Sequence, residues 1–259
     1  MTIRLDDTIT LVTGAAGGIG RAVCQALNDA GALVIATDLS ERPDVPAAEA
    51  YFRHDVADPA DWRRLAAHID GKYGRLDALV NVAAMVAVAS IADTTLDLWR
   101  KIQSVNVESV LIGTQSMLEL LKKSGKTRKG GASIVNFSSV GGLRGAAFSS
   151  AYCTSKGAVT LFTKSAAIEF GVLGYNIRVN SVHPGAIRTG MIHSMMQRYV
   201  ELGGVPSIEA AEAAIIANHP IGRFGNPAEI GDGVVYLCSS ASSFVTGTEF
   251  VIDGGFTAV

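Results

Sequence analysis

Near the N-terminus a run of branched residues, Thr8-Ile-Thr-Leu-Val-Thr13, passes without a linker into Gly14-Ala-Ala-Gly17-Gly18-Ile19-Gly20 and then into Arg21-Ala-Val-Cys-Gln-Ala-Leu27. The first segment has the composition of a short β-strand and the last the apolar spacing of a helix, so the glycines occupy a strand-to-helix turn. Glycine lets such a turn approach a pyrophosphate closely, and the start of the helix offers it unpaired N–H groups and a positive dipole end. The spacing is neither G-x-G-x-x-G nor a Walker A, since no Gly-Lys-Ser/Thr follows. A tight turn without a ligand accounts for the glycines as well.

The next apolar run, Ala32-Leu-Val-Ile-Ala-Thr37, ends at Asp38, about twenty residues beyond the glycines. A carboxylate there accepts hydrogen bonds from the adenosine ribose hydroxyls and repels a 2′-phosphate, which favours NAD over NADP. Gly17 and Leu39 stand where a basic residue would be needed to hold that phosphate. The competing reading is an aspartate that only ends a strand.

Strand-like segments recur near 8–13, 32–37, 50–54, 76–81, 132–137, 176–182 and 248–252, separated by helical patterns. This alternation predicts an α/β fold: one doubly wound, Rossmann-type domain over residues 1–259, with seven parallel strands and helices on both faces. Gly14, Asp38, Asn81, Ser139 and Pro184 then all fall at carboxyl ends of strands, where cofactors bind. Asn226-Pro-Ala-Glu229 carries the signature of a capped helix start.

Tyr152-Cys-Thr-Ser-Lys156 places a phenol and an ammonium on one helix face, one turn apart. A phenol of ordinary pKa is a poor base near neutrality, and a neighbouring cation is expected to lower it towards the working range. By itself the pair also fits an ordinary surface helix. Together with the glycine turn, however, it resembles the short-chain dehydrogenase/reductase family, and the resemblance covers essentially the whole chain. Asp55-Val56, Asn81, Asn106 within a helix, Ser139, Pro184-Gly185 and Thr189 follow in the family's order. One departure is Asn81-Val82-Ala83-Ala84, where Ala84 replaces the usual glycine and gives up its conformational freedom.

The resemblance implies roles. Ser139 donates a hydrogen bond to the substrate oxygen, Tyr152 exchanges the alcohol proton, and Lys156 lowers the tyrosine pKa and holds the nicotinamide ribose. Asn106 anchors a water linking Lys156 to solvent. Gly14, Gly17, Gly18, Ile19, Gly20, Asp38, Leu39, Asp55, Val56 and Asn81 line the adenosine and pyrophosphate side. Pro184, Gly185, Ile187 and Thr189 hold the carboxamide. Substrate selection is expected in a lid at 189–219, where Met191 and Met195 are candidate contacts, Ile192 and Met196 add to the apolar cover and Gly203-Gly204 is a hinge, with Val86 and Val88 also facing the pocket. Packing against the body or a second subunit explains the same methionines.

The expected activity is NAD-dependent interconversion of a secondary alcohol and a ketone, on a hydrophobic cyclic or steroid-like substrate such as those of bacterial hydroxysteroid and cyclic-alcohol dehydrogenases. The tail Asp253-Gly-Gly-Phe-Thr-Ala-Val259 resembles the latter. Alternatives are a 3-oxoacyl reductase of fatty-acid metabolism, against which Asp38 argues, and an NAD-sensing module without turnover. The resemblance also implies a homotetramer built through the helices around 100–125 and 152–172 and the final strand.

A net charge of -2 with 18% charged residues gives no reason to expect nucleic acid or an anionic membrane as partner. Cys24, Cys153 and Cys238 form no C-x-x-C, so a reducing cytoplasm fits best. Met1-Thr-Ile-Arg-Leu-Asp-Asp lacks the apolar core of a signal peptide, and no stretch is long and apolar enough to predict a membrane span. His54, His68, His183, His193 and His219 never fall at metal-ligand spacing, so no metal site is expected. Ser138-Ser139 lacks the glycine that a nucleophile elbow needs at Phe137. The basic run 122–131 is expected to be a solvated loop, with an anion-binding patch as the alternative.

Overall fold

The computed structural model describes residues 3–41, 45 and 47–258. Met1, Thr2 and the tail's Val259 lie outside the described residues. The strands are β1 (Ile9–Thr13), β2 (Leu33–Asp38), β3 (Ala50–Arg53), β4 (Ala78–Asn81), β5 (Ala132–Phe137), β6 (Ile177–Pro184) and β7 (Glu249–Ile252). The helices are α1 (Gly18–Asp29), α2 (Pro59–Tyr73), α3 (Leu96–Gln103), α4 (Ser109–Thr127), α5 (Ser150–Val172), α6 (Gly190–Glu201), α7 (Ile208–Ala217) and α8 (Pro227–Cys238). All seven strands run parallel in the order β3-β2-β1-β4-β5-β6-β7, as the alternation predicts.

Successive strand residues point to opposite faces, and both faces are covered, which is why the strands read as unbroken apolar runs. Val12, Val80, Val135 and Val182 pack beneath α1 and α8 with Val23, Leu27, Ile230 and Val234. Leu11, Leu79, Ile134 and Val179 face the other way, against Trp62 and Ile69 of α2, Met117 and Leu121 of α4, and Phe170 of α5. A third, much smaller apolar cluster, Met196, Ala211 and Phe224, lies under α6 and α7.

Local capping agrees with the sequence signature at α8. Asn226 accepts from the Ala228 N–H at 3.0 Å, and Glu229 Oε2 accepts from the Asn226 N–H at 2.7 Å. The basic run departs from expectation, because residues 122–127 are the last turns of α4 rather than a loop. Tertiary contacts hold it helical. Ser124 is buried and hydrogen-bonds the Asp77 carboxylate, Lys123 pairs with Asp70 of α2 at 2.6 Å, and the Asn176 amide donates to the Gly125 carbonyl at 2.6 Å. Of its cations, Lys122 pairs with Glu119 of α4 itself at 2.8 Å, and Arg128 donates to the Cys238 carbonyl, also at 2.8 Å.

Candidate active site

The order of strands reverses at β1, where the chain leaves β1 for β2 on one side and reaches β4 on the other, and a crevice opens at their carboxyl ends. The glycine turn lies there. Gly14 has φ +66°, and a Cβ on it would approach the Ala83 backbone to 2.7 Å. A Cβ on Gly20 would fall on the Gly14 carbonyl oxygen. Gly17 caps α1 without a side chain, so its first N–H groups face the crevice. A Cβ on Gly18 would come within 2.8 Å of Thr189 Cγ2, which brings the turn against the 184–189 segment.

Asp38 ends β2. Its carboxylate accepts from the backbone N–H of Ala16 at 3.0 Å and of Ser40 at 3.2 Å, and Leu39 beside it is exposed. Arg53 stands in register with Asp38 on β3, a basic neighbour that sequence order conceals. Asp55 accepts from the Ala57 N–H at 2.9 Å, and the Val56 carbonyl accepts from the Trp62 indole, also at 2.9 Å. His54, buried against Trp62, has its pKa pushed down to about 4 by burial.

Asn81, at the end of β4, donates to Asn136 at 2.9 Å, which in turn donates to Thr163 at 3.0 Å. After Asn81 the chain turns at Ala83-Ala84 without a positive φ, so the missing glycine costs nothing here. Asn106 lies in a five-residue π-helical stretch, Ser104–Glu108, between α3 and α4. Its side chain accepts from the Met85 N–H at 2.8 Å and donates to the Met85 carbonyl and to Ser155 at 2.9 Å each. It thus clamps the segment after β4 to α5. π-Helical turns of this kind recur at functional sites.

Ser139 follows β5 and caps a short 3₁₀ turn, Val140–Gly142. Its hydroxyl accepts from the Gly141 N–H at 3.1 Å and is hydrogen-bonded with the Tyr152 phenol. Lys156 is buried, donates from Nζ to the Phe137 carbonyl at 2.7 Å, and lies 5.8 Å from the Tyr152 ring centre. Burial pushes the lysine down to about 7. The Tyr152 pKa goes up, because burial outweighs the hydrogen bond from Ser139. This corrects the expectation that Lys156 lowers it: the same burial that disfavours phenolate also disfavours the ammonium that would stabilise it.

One cavity of about 950 Å³ joins these groups, near the upper end of the roughly 300–1,000 Å³ typical of small-molecule sites. Gly14, Gly17, Gly18, Ile19, Gly20, Asp38, Leu39, Asp55 and Val56 line one end, and Ser139, Tyr152, Lys156, Pro184, Gly185, Ile187 and Thr189 the middle. Met191 and Met195 line the far end. Asn81 and Asn106 stand just behind the wall; Val86 and Val88 are not part of it, and Met85 takes their place because Asn106 fixes its backbone. Ile192 and Met196 of the expected lid line the cavity too, whereas sequence reading missed Tyr199, Ile215, His219 and Phe256, which come to it from the lid and the C-terminal tail. No spacing rule links segments so far apart. Among the described residues no group of three His, Cys, Asp or Glu side chains is placed to hold a metal, and no helix is long and apolar enough to cross a membrane.

Comparison with known proteins agrees with this geometry. A family model described as enoyl-(acyl carrier protein) reductase matches residues 14–257. The chain is 36% identical, over 100% of both chains, to an NADP-dependent (R)-specific alcohol dehydrogenase of Lentilactobacillus kefiri. It is 37% identical to a cyclopentanol dehydrogenase of a Comamonas species, over 98% of this chain and 99% of the relative. The crystal structure of a short-chain type dehydrogenase/reductase from Mycobacterium marinum superposes with a TM-score of 0.85 at 31% identity, covering 100% of this chain and 98% of that one. With its parallel seven-stranded sheet, its glycine turn and its full-length likeness to these proteins, the chain belongs to the short-chain dehydrogenase/reductase family of oxidoreductases.

Proposed function

We propose that the protein is an NAD-dependent oxidoreductase that interconverts a secondary alcohol and a ketone on a hydrophobic, cyclic or steroid-like substrate. The observation that carries this reading is the meeting of Ser139, Tyr152 and Lys156 in one cavity with the glycine turn and Asp38. A dinucleotide fits the residues present: the turn has no room for side chains at Gly14 or Gly20, and its helix start offers free N–H groups. When bound, that cofactor supplies the hydride acceptor or donor.

The chain's own residues do the rest. Ser139 holds the substrate oxygen beside the Tyr152 hydroxyl, which takes the proton of an alcohol or returns it to a ketone. Lys156, with Nζ anchored on Phe137, holds the ribose and carries the proton onward, and a water on the π-helical turn at Asn106 links it to solvent. Pro184, Gly185, Ile187 and Thr189 hold the carboxamide, Asn81 supports the adjacent wall, and residues 14–20 with Asp38, Leu39, Asp55 and Val56 hold the adenosine half.

Asp38 supports NAD, since its carboxylate would meet a 2′-phosphate. The NADP dependence of the Lentilactobacillus relative and the register position of Arg53 make this the point to test first. The lid supports an apolar substrate: it brings Met191, Ile192, Met195, Met196 and Ile215 to the cavity that Ser139 and Tyr152 line, with Phe256 added from the tail. Its polar groups are already engaged, the Tyr199 hydroxyl by the Ala147 carbonyl at 2.7 Å and His219 at both nitrogens. The lid contributes no Asp, Glu, Lys or Arg to the lining, so a second charged group on the substrate would find no charged partner on that side, Lys101 lying on another wall segment.

For assembly, Leu161, Ile168 and Val172 form an exposed apolar stripe on α5, and Phe244 and Val251 are exposed beside the last strand. These two patches support a homotetramer, which native mass measurement tests. The deciding experiment follows reduced-cofactor absorbance with NAD and NADP against alcohols of graded size. Absence of turnover with every alcohol, alongside tight NADH binding, would favour the sensing module instead.

A further inference from the structure

His219 lies where three parts of the site meet. It follows α7 at the end of the lid, is buried, and lines the cavity. The backbone N–H of Ala186, in the middle of the 184–189 segment, points at its Nε2 at 3.2 Å, and its Nδ1 is 2.6 Å from the Ile215 carbonyl of α7. Its ring packs on Phe256 of the C-terminal tail at 5.1 Å between centres.

These contacts define the state of the ring. A backbone N–H only donates, so Nε2 must be the bare nitrogen, and the single proton of neutral imidazole sits on Nδ1, donating to Ile215. Protonation would set an N–H on Nε2 directly against the N–H of Ala186. The Ala186 carbonyl is held separately, by the N–H of Gly225 at 2.9 Å. His219 is therefore a buried tie between this segment and the lid helix, beside the exposed Arg188–Glu212 pair.

We propose that neutral His219 is a positioning residue that holds Ala186, and with it the nicotinamide side of the cavity, to the lid, and that its protonation releases both. This rests on the reading of 184–189 as the segment that meets the nicotinamide end of the cofactor. The charged groups around the ring are few. The Asp253 carboxylate, which feels the His219 charge, is held by the N–H groups of Gly255 and Thr257. Arg144 stacks on the Phe256 ring, and Glu212 of α7 pairs with Arg188 at 3.5 Å. The sign follows from the geometry: cofactor affinity is full while the ring is neutral and falls when acid places a proton on Nε2.

The test is NADH affinity, by fluorescence titration from pH 8 to pH 5.5, for the unmodified protein, His219→Gln and His219→Leu. Glutamine offers Ala186 an acceptor that no pH in this range protonates; leucine offers none. Lys156 titrates in the same window in all three proteins, so the difference between profiles is what counts. Expected are an acid loss of affinity in the unmodified protein on the order of tenfold beyond that of His219→Gln, and a comparable loss for His219→Leu already at pH 8. Parallel profiles for the unmodified and glutamine proteins, or unchanged affinity in the leucine variant, would overturn the proposal. Should His219→Leu not fold, the other two profiles decide alone. If the unmodified protein bound no NADH at any pH, the functional reading itself would fail, a distinct outcome.

Discussion

The two ends of the cavity are built differently. At the carboxyl edge of the sheet the polar side chains are buried and held: Asn81 to Asn136 to Thr163, Asn106 to Met85 and Ser155, Lys156 to Phe137. The lid rests on one small cluster, Met196, Ala211 and Phe224, with Met191 largely exposed. It is latched through Tyr199, whose hydroxyl reaches Ala147 and whose ring packs edge-on against Phe148, a residue with φ +58°. A positive φ at a bulky residue is strained and persists only where surrounding contacts enforce it. Under the proposed function the contrast becomes a division of labour, in which buried networks preorganise proton transfer and an apolar, lightly anchored cover measures the substrate.

The comparison predicts that damage at the sheet edge costs chemistry whatever the substrate. Tyr152→Phe should lower turnover by at least about 10²-fold with NADH affinity nearly unchanged. Retention of more than a tenth of the activity, with chemistry rate-limiting, would remove the phenol from its role. Asp38→Ala should shrink the preference for NAD over NADP by roughly tenfold, since it removes both a ribose acceptor and the repulsion of a phosphate. Equal use of the two cofactors by the unmodified protein would show that Arg53 outweighs Asp38.

Damage in the lid should instead depend on substrate size. Met195→Ala should lower kcat/KM for a bulky alicyclic alcohol relative to a short linear one by about 4- to 15-fold, the worth of one or two buried methylenes at roughly 0.8 kcal/mol each. An unchanged ratio together with a lower melting temperature would make the methionine structural.

A separate effect concerns stability. Lys156 titrates at about 7 in the fold and near 10.5 when unfolded, so between these values the unfolded chain binds the extra proton and stability rises with pH. The melting temperature of the unmodified protein should therefore rise relative to Lys156→Met from pH 7 to pH 9.5, as thermal scans would show. Parallel curves would mean the ammonium stays charged in the fold.

Parts of this molecule obey local rules and were legible in the sequence. The strand-glycine-helix unit, the capping of α8 and the Tyr152/Lys156 pair each lie within a few residues, where backbone geometry and side-chain spacing suffice. The end of α4 was not legible, because Gly125 and a cluster of cations argue for a loop until Asp70, Asp77 and Asn176 arrive from elsewhere in the chain. Nor was the direction of the Tyr152 shift. Spacing shows that a lysine is near, but only burial decides whether either group keeps its charge.

Sequence by itself thus determined the fold class and which strand-end motifs share a cavity, because a parallel sheet brings Gly14, Asp38 and Ser139 to the same carboxyl edge although they lie far apart along the chain. Tertiary structure alone decided which face of the lid meets the cavity, that Arg53 stands beside Asp38, and that His219 and Phe256 close the far wall. Those are contacts between segments dozens of residues apart, set by how helices and tail pack over the sheet, and no local periodicity encodes them.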